Sequence, residues 1–326
     1  MNPRALLIPA KWVFTRRPTT AAIDITHRCN LQCLHCYWWR QEHPRELSDR
    51  EWVSFMTDLR RKRRLRAAIL YGGEPALRPG VCLGGSRIFD STLVFTNGTM
   101  GLPGLRNGQW IVSLDGPREI NDAVRGEGVY DEAVRNIQRA ARPPIVHMTL
   151  CRMNQHAIEP FVREMLELPI KGIGFSFYTP MRNREEPELF IPLAQRNRTV
   201  DHLLALKERY GPRVGFTPAM GRQFRTDGAF PEWNDFDRCP VGRRVLCYAS
   251  DGTEKRCTYG DDADCSRCGC AAVSAYRGSL KPPDIKTMRV VMGLVFPGAG
   301  TRLKRSSMPG DSPAGRPDGL GSRQYP

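Results

Sequence analysis

The chain has 326 residues, eleven cysteines and a formal net charge of +15; that length buries one large core or two smaller ones, and no run is apolar for long enough to span a bilayer or to act as a secretion signal. The sequence therefore reads as a soluble, cytoplasmic protein, where a large and odd number of cysteines points to metal ligands or reactive thiols rather than to a disulfide framework. Nor does the charge signal nucleic-acid binding, because 41 of the 49 basic residues are Arg scattered along the chain, whereas a phosphate-binding surface gathers its cations into one stripe.

In chain order, strand-like apolar runs alternate with helical patterns. Strands are predicted at 21–26, 67–71, 92–96, 110–114, 145–151 and 172–178, and helices at 49–61, 130–140 and 158–168. Repeated βα units predict an α/β fold with a parallel sheet, closed into a partial (β/α)6 TIM-like barrel. Ser48 followed by Glu51 reads as a capping box for the first helix. The run Arg60–Arg66, "RRKRRLR", closes that helix, where cations suit the dipole. It precedes the second strand, so it belongs to the barrel end opposite the active-site face. The second and third crossovers are rich in Gly and Pro and are predicted to be loops. A helix-like stretch at 199–210 leads into a short apolar run at 213–219.

This divides the chain into a lead-in (1–20), a core barrel (21–180), a completing and linking segment (181–238), a cysteine-rich region (239–280) and a tail (281–326). Six cysteines fall between Cys239 and Cys270 with little hydrophobic periodicity, the composition expected where metal bonds replace a core. The tail is rich in Pro, Gly, Ser and Arg and, apart from "MRVVMGLVF" at 288–296, reads as largely disordered.

Chemistry concentrates in "HRCNLQCLHCYWW", His27 to Trp39, directly after the first strand. Cys29, Cys33 and Cys36 form C-x3-C-x2-C. A tetrahedral zinc ion would take a fourth ligand from His27 or His35. A [4Fe–4S] cubane held by three thiolates instead keeps one iron open for a small chelating molecule. Further on, "YGGEP" (Tyr71–Pro75), "TNGT" (Thr96–Thr99) and "SLDG" (Ser113–Gly116) each sit at the carboxyl end of a predicted strand, the face on which parallel barrels build their sites. "NDAVRGEGVYDEAV" follows at Asn121–Val134. The fifth strand alternates His147, Thr149 and Cys151 with apolar residues, so one face turns polar groups into the barrel.

With these motifs in order, the chain resembles the radical S-adenosylmethionine (SAM) superfamily over about residues 20–180. The resemblance implies that Cys29, Cys33 and Cys36 hold a [4Fe–4S] cluster whose open iron chelates the methionine moiety of SAM, and that SAM is cleaved reductively to a 5′-deoxyadenosyl radical. By the same likeness, Tyr37 lies near the adenine, and Gly72, Gly73, Glu74 and Pro75 receive the amino group. Thr96, Asn97, Ser113 and Asp115 lie at strand ends that contact the ribose and carboxylate, with Arg125 pairing with the carboxylate through its planar fork. Cys151, at the barrel mouth, is either a small hydrophobe or a hydrogen-atom donor to a product radical.

Cys239, Cys247, Cys257, Cys265, Cys268 and Cys270 resemble the SPASM or twitch extensions of that superfamily. They depart from a full SPASM set in number and in the single-residue gap before Cys270. One auxiliary [4Fe–4S] cluster is the central expectation and structural zinc the alternative.

"LDG", "GVYDEAV" and the late "CGCAAVSA" give some likeness to the hopanoid-adenosylating subgroup, which implies carbon–carbon bond formation on a small molecule such as an isoprenoid, a sugar or a nucleoside, as in tunicamycin-like coupling. The expected partners are that substrate and a flavodoxin- or ferredoxin-type reductant, with no nucleic acid and no membrane span. Trp38, Trp39, Ser176, Tyr178 and Thr217 are candidate substrate contacts. Modification of a peptide or protein, and a zinc-stabilised binding protein without catalysis, stay open.

Overall fold

The computed structural model describes residues 17–43 and 45–295, so the lead-in before residue 17 and the tail from 296 onward lie outside the described residues, the expected disorder with them. Six parallel strands follow in chain order: β1 (Thr20–Asp24), β2 (Ala67–Tyr71), β3 (Ser91–Thr96), β4 (Gly108–Ser113), β5 (Ile145–Leu150) and β6 (Gly172–Phe177). Each pairs with its successor, and the sheet continues from β1 to β7 (Val245–Tyr248) and the short antiparallel β8 (Glu254–Lys255). The partial barrel is thus extended on its β1 edge by the cysteine-rich region itself, because β7 carries Cys247 into register with Ala22.

The helices are α1 (Asp49–Arg61), α2 (Pro79–Ile88), α3 (Arg118–Arg125), α4 (Val129–Gln138), α5 (Ile158–Glu167), α6 (Leu193–Tyr210), α7 (Pro218–Phe224), α8 (Pro240–Arg244), α9 (Ala271–Leu280) and α10 (Ile285–Val295). One expectation fails at α2. The second crossover is helical despite Gly80, Gly84 and Gly85, because Pro79 at its first turn is tolerated there and Gly85 lets α2 lie close to Met56 and Leu70, as Gly84 does to Val53. The third crossover has no helix. In the apolar run at 213–219, Thr217 caps α7 with its hydroxyl, which also meets Thr287 Oγ1 at 2.5 Å.

Alternate strand residues divide into two layers. Ile23, Leu70, Val94, Val112, Val146, Met148 and Phe175 face the helices in the main core, whereas Leu93, Ile111 and Ile145 pack inside the barrel with Ile69 and Phe95. Nearer the carboxyl ends the inner layer turns aromatic and polar: Tyr71 stacks on Phe95 at 4.7 Å, and Phe95 meets His147 edge-on at 5.7 Å. Burial pushes the His147 imidazole down to about 4, so it stands neutral at physiological pH.

The capping box reads as predicted, with Glu51 N–H donating to Ser48 Oγ and Ser48 N–H donating to Glu51. Ser48→Ala is expected to lower unfolding free energy by about 1 kcal/mol, read from urea unfolding; an unchanged midpoint would show that packing of Trp52 and Met56 alone holds the helix start.

Candidate active site

The loop from Thr26 to Glu46 carries all three clustered cysteines and, among its described residues, has no regular structure beyond one short turn at Trp38–Arg40. Its shape is imposed from outside. Gly72 and Gly73 lie flush against its entry: a Cβ on Gly72 would sit 2.1 Å from the Thr26 carbonyl oxygen and one on Gly73 2.2 Å from that of Arg28, and Gly72 has φ of +133°. Only glycine allows both the contact and that backbone angle. The approach is fixed by Gly73 N–H donating to Thr26 O at 2.9 Å and Glu74 N–H to Arg28 O at 2.8 Å.

Both ends of the loop are gathered by two charged side chains. Glu46 Oε1 accepts from Thr26 Oγ1 and His27 N–H, each at 2.6 Å. Arg78, buried beneath, donates to Ile25 O before the loop and to Leu47 O after it, both at 2.8 Å, and pairs with Asp49. These residues, none visible as a motif, close the base of the loop.

Within the loop, Cys36 N–H donates to Cys33 O and Leu34 N–H to Val124 O, which ties the turn to the end of α3. Two sulfurs accept backbone N–H groups, Cys29 from Leu31 at 3.5 Å and Cys36 from Trp38 at 3.4 Å. All three thiols are raised by burial, Cys33 to about 12, and each raises or is raised by another of the set. As free thiols they stay protonated, and a bound metal would take them as thiolates.

Zinc fits poorly. His35 Nε2 lies 2.8 Å from Asp115, His27 stacks on His43 at 5.6 Å, and among the described residues no three His, Cys, Asp or Glu side chains converge as one ion requires. A four-iron cluster spreads three sulfurs over three irons, and N–H donors to sulfur are the contacts that tune it; this donor set fits that group.

The other predicted residues surround the loop. Glu74, 1% exposed, turns its carboxylate inward to accept from Ala76 N–H at 2.7 Å, Thr96 Oγ1 at 2.7 Å and Asn97 N–H at 2.6 Å. Three of about four acceptor positions are thereby filled, so Glu74 joins β2 to β3 more than it faces an outside amine. Pro75 starts the short turn that follows. Asn97 donates to Asn30 Oδ1 at 2.8 Å, linking the "TNGT" segment to the cysteine loop. Ser113 stands half-buried at the end of β4. Arg125 is buried with Nε 2.7 Å from Asp115, which also faces His35 and accepts from Thr149 N–H. Burial alone would raise the Asp115 carboxyl, but Arg125 and His35 override it and hold it well below the usual carboxylate range. Arg125 thus reaches the site as a member of an ion pair, with its backbone carbonyl 3.9 Å from Cys33 Sγ.

Tyr37 is enclosed by the cysteine-rich region: its hydroxyl donates to Thr258 O at 3.1 Å and its ring lies 5.5 Å from Tyr259. Beside it, Lys255 on β8 pairs with buried Asp24 at the end of β1 and donates to Thr258 O. Of the candidate substrate contacts, Trp38 is buried with its indole donating to His27 O, and Thr217 is spent on its cap; Trp39, 38% exposed, remains at the surface of the mouth. Cys151 is fully buried against Tyr178 and Leu189 and is raised to about 12 by burial, the environment of a small hydrophobe.

The six later cysteines gather as a second group. Cys239 acts on Cys257, Cys265, Cys268 and Cys270, and Cys257 on Cys247, each raising its neighbour's pKa while burial raises them all. None is in a disulfide. The segment is held to the barrel by Phe177 N–H donating to Gly269 O and Gly269 N–H donating to Thr179 Oγ1.

An eight-stranded, mostly parallel sheet with a three-cysteine loop at the end of its first strand defines the class. Residues 23–151 match the Radical SAM superfamily and are a radical SAM domain, a type of enzyme domain whose cofactors are a [4Fe–4S] cluster and SAM. The chain is 28% identical over 162 residues to the sporulation killing factor maturation protein SkfB of Bacillus subtilis, covering 45% of this chain and 39% of SkfB. It is 32% identical over 161 residues to the Fe-coproporphyrin III synthase of Methanosarcina barkeri, covering 44% and 40%. The chain therefore spans about two-fifths of the length of these relatives. The fold of SuiB from Streptococcus suis bound to S-adenosylmethionine is similar, with TM-score 0.59 at 14% identity over 78% of this chain and 63% of that one. No described helix is long and apolar enough to cross a membrane.

Arg78→Met removes the donor shared by both loop ends and leaves their carbonyls unpaired, so unfolding free energy should fall by about 3 kcal/mol in urea titrations; a loss no larger than that of Ser48→Ala would assign the loop's shape elsewhere. At Asp24, burial outweighs the Lys255 pairing and pushes the carboxyl up to about 6. The folded protein thus binds more protons than the unfolded chain between about pH 4 and 6 and loses stability as pH rises through that window. Relative to Asp24→Asn, the wild type should lose on the order of 3 kcal/mol across it, at about 1.4 kcal/mol per pH unit; parallel pH profiles for the two proteins would contradict this assignment.

Proposed function

We propose that this protein is a radical SAM enzyme that cleaves S-adenosylmethionine at a cluster held by Cys29, Cys33 and Cys36 and modifies a small molecule at the barrel mouth. The observation that carries the reading is the loop itself: three free thiols, two of them accepting backbone N–H groups, pinned to the carboxyl ends of β1 and β2 beside the buried Arg125–Asp115 pair. When bound, the cluster and SAM supply one electron and a carbon-centred radical.

The protein's own residues prepare the surroundings. Gly72 and Gly73 set the height of the loop above the sheet, and Asn30 and Asn97 hold its first turn. Arg125 keeps a permanent positive charge next to Cys33, suited to the cosubstrate carboxylate. The inner wall of Tyr71, Phe95 and neutral His147 is a low-water lining that spares a radical from side reactions.

The second cysteine group supports one auxiliary [4Fe–4S] cluster, with ligands drawn from Cys239, Cys247, Cys257, Cys265, Cys268 and Cys270. Likeness to Fe-coproporphyrin III synthase favours a small-molecule substrate, and addition of the radical to an unsaturated carbon, as the hopanoid-type motifs imply, is the finer form of this reading. Likeness to SkfB, a maturation protein, favours a second reading, modification of a peptide or protein. A one-electron donor of the flavodoxin or ferredoxin type, acidic against this basic chain, completes the system.

Anaerobically reconstituted protein should carry about eight irons per chain, two cubanes of four, and form 5′-deoxyadenosine from SAM after reduction. Replacing Cys29, Cys33 and Cys36 together by Ala should abolish that product and remove about four irons. Replacing Cys265 and Cys268 should remove about four irons and leave cleavage in place. Cleavage that survives the first set, or is lost only with the second, would reverse the assignment of the catalytic cluster. Feeding tetrapyrroles, isoprenoids and unsaturated sugar nucleotides in parallel with a candidate peptide, and weighing the products, separates the two substrate readings.

A further inference from the structure

Arg196, on α6, is 0% exposed and has no carboxylate within ion-pair distance among the described residues. Its guanidinium carbon lies 4.9 Å from the ring of Phe230, 5.0 Å from Phe177 and 5.9 Å from Phe190. Nη1 donates to Cys268 O at 2.9 Å and Nη2 to Arg267 O at 3.1 Å, while Nε is buried without a partner. Three rings and two carbonyl dipoles lower the cost of this charge without neutralising it, and a buried ion ordinarily has an opposite charge or a metal site beside it.

The same turn sets Cys268 N–H onto Cys265 O and Cys270 N–H onto Cys268 Sγ, so the guanidinium grips the backbone from which the second cysteine group projects. Arginine at this position is therefore chemically conspicuous. A structural plug among three phenylalanines needs no charge, and methionine or leucine would fill it at lower cost.

We propose that Arg196 is the buried counter-cation of the second cysteine group: the thiolates that Cys268 and its neighbours present to a metal cluster balance its charge, and Arg196 in turn favours the cluster's reduced state. This rests on the reading that the second group holds an iron–sulfur cluster. Reduction adds negative charge, which a fixed cation nearby stabilises in a low-dielectric site. Arg196 acts here as a positioning and tuning residue, through charge and through the Cys268 carbonyl.

The test is a redox titration of the reconstituted holoenzyme followed by electron paramagnetic resonance, with iron counted in each sample. The auxiliary signal is the one that SAM does not alter. In Arg196→Met and Arg196→Gln, which remove the charge, that couple should become about tenfold harder to reduce, ~59 mV more negative for one electron. In Arg196→Lys, which keeps the charge, it should stay near the wild-type value, and the SAM-sensitive couple should not move in any variant. Gln retains a donor for the Cys268 carbonyl, so a folded comparison does not depend on Met alone. Potentials that agree across all four proteins at equal iron content would make Arg196 a packing residue and overturn the proposal. Wild-type protein with no SAM-insensitive iron would instead overturn the cluster reading beneath it.

Discussion

The site depends on one close contact, the flush approach of Thr26–Arg28 to Gly72–Gly73. Among its described residues the cysteine loop has only the short turn at Trp38–Arg40 to hold three sulfurs in one place, so its geometry is borrowed from the ends of β1 and β2 across a gap that no Cβ can enter. Once that contact is made, the remaining tethers follow from it. Glu74, carried by the same turn, reaches Thr96 and Asn97 on the next strand, and Asn97 returns to Asn30 inside the loop. Glu46 and Arg78 then close the base. A rigid sheet thereby dictates the shape of an irregular segment, the usual division of labour between scaffold and functional loop.

Buried charge is the second organising theme. Asp115, Arg125 and His35 form one group under the loop, and Asp24 with Lys255 forms another between β1 and β8. Each is costly to desolvate and is retained in a partnered state. Their placement differs in consequence. The Asp115 group lies within the radical SAM domain and sets the field around Cys33 and Cys36. Asp24 and Lys255, together with Tyr37 and Thr258, join the domain to the cysteine-rich region, so the two cysteine groups share a wall of side chains rather than lying at separate ends of the molecule.

Much of this was legible in the sequence because it is written locally. The βα rhythm marked six strands within a residue or two, Ser48 and Glu51 announced α1, and the cysteine spacing with "GGEP" pointed to a candidate site at the strand ends. What escaped was non-local or countered by packing. The glycines of α2 argued for a loop, yet a small-residue face is what lets that helix approach Met56 and Leu70. Nothing near Val245–Tyr248 marked it as a strand, since its partner β1 lies more than 200 residues earlier. Arg78 and Arg196 could not be singled out among 41 arginines; only their burial and the carbonyls they hold distinguish them. Glu74 shows the opposite limit, a motif residue whose position was plain while the direction of its carboxylate was not.

On the proposed reading, the three-cysteine loop holds a cluster with one iron free to chelate SAM. Electron–nuclear double resonance on the reduced protein, with SAM carrying nitrogen-15 in its amino group, tests this directly. A nitrogen coupling should appear with labelled SAM and vanish when Cys29, Cys33 and Cys36 are replaced. A reduced cluster of the wild-type loop that shows no coupling to saturating labelled SAM would contradict it.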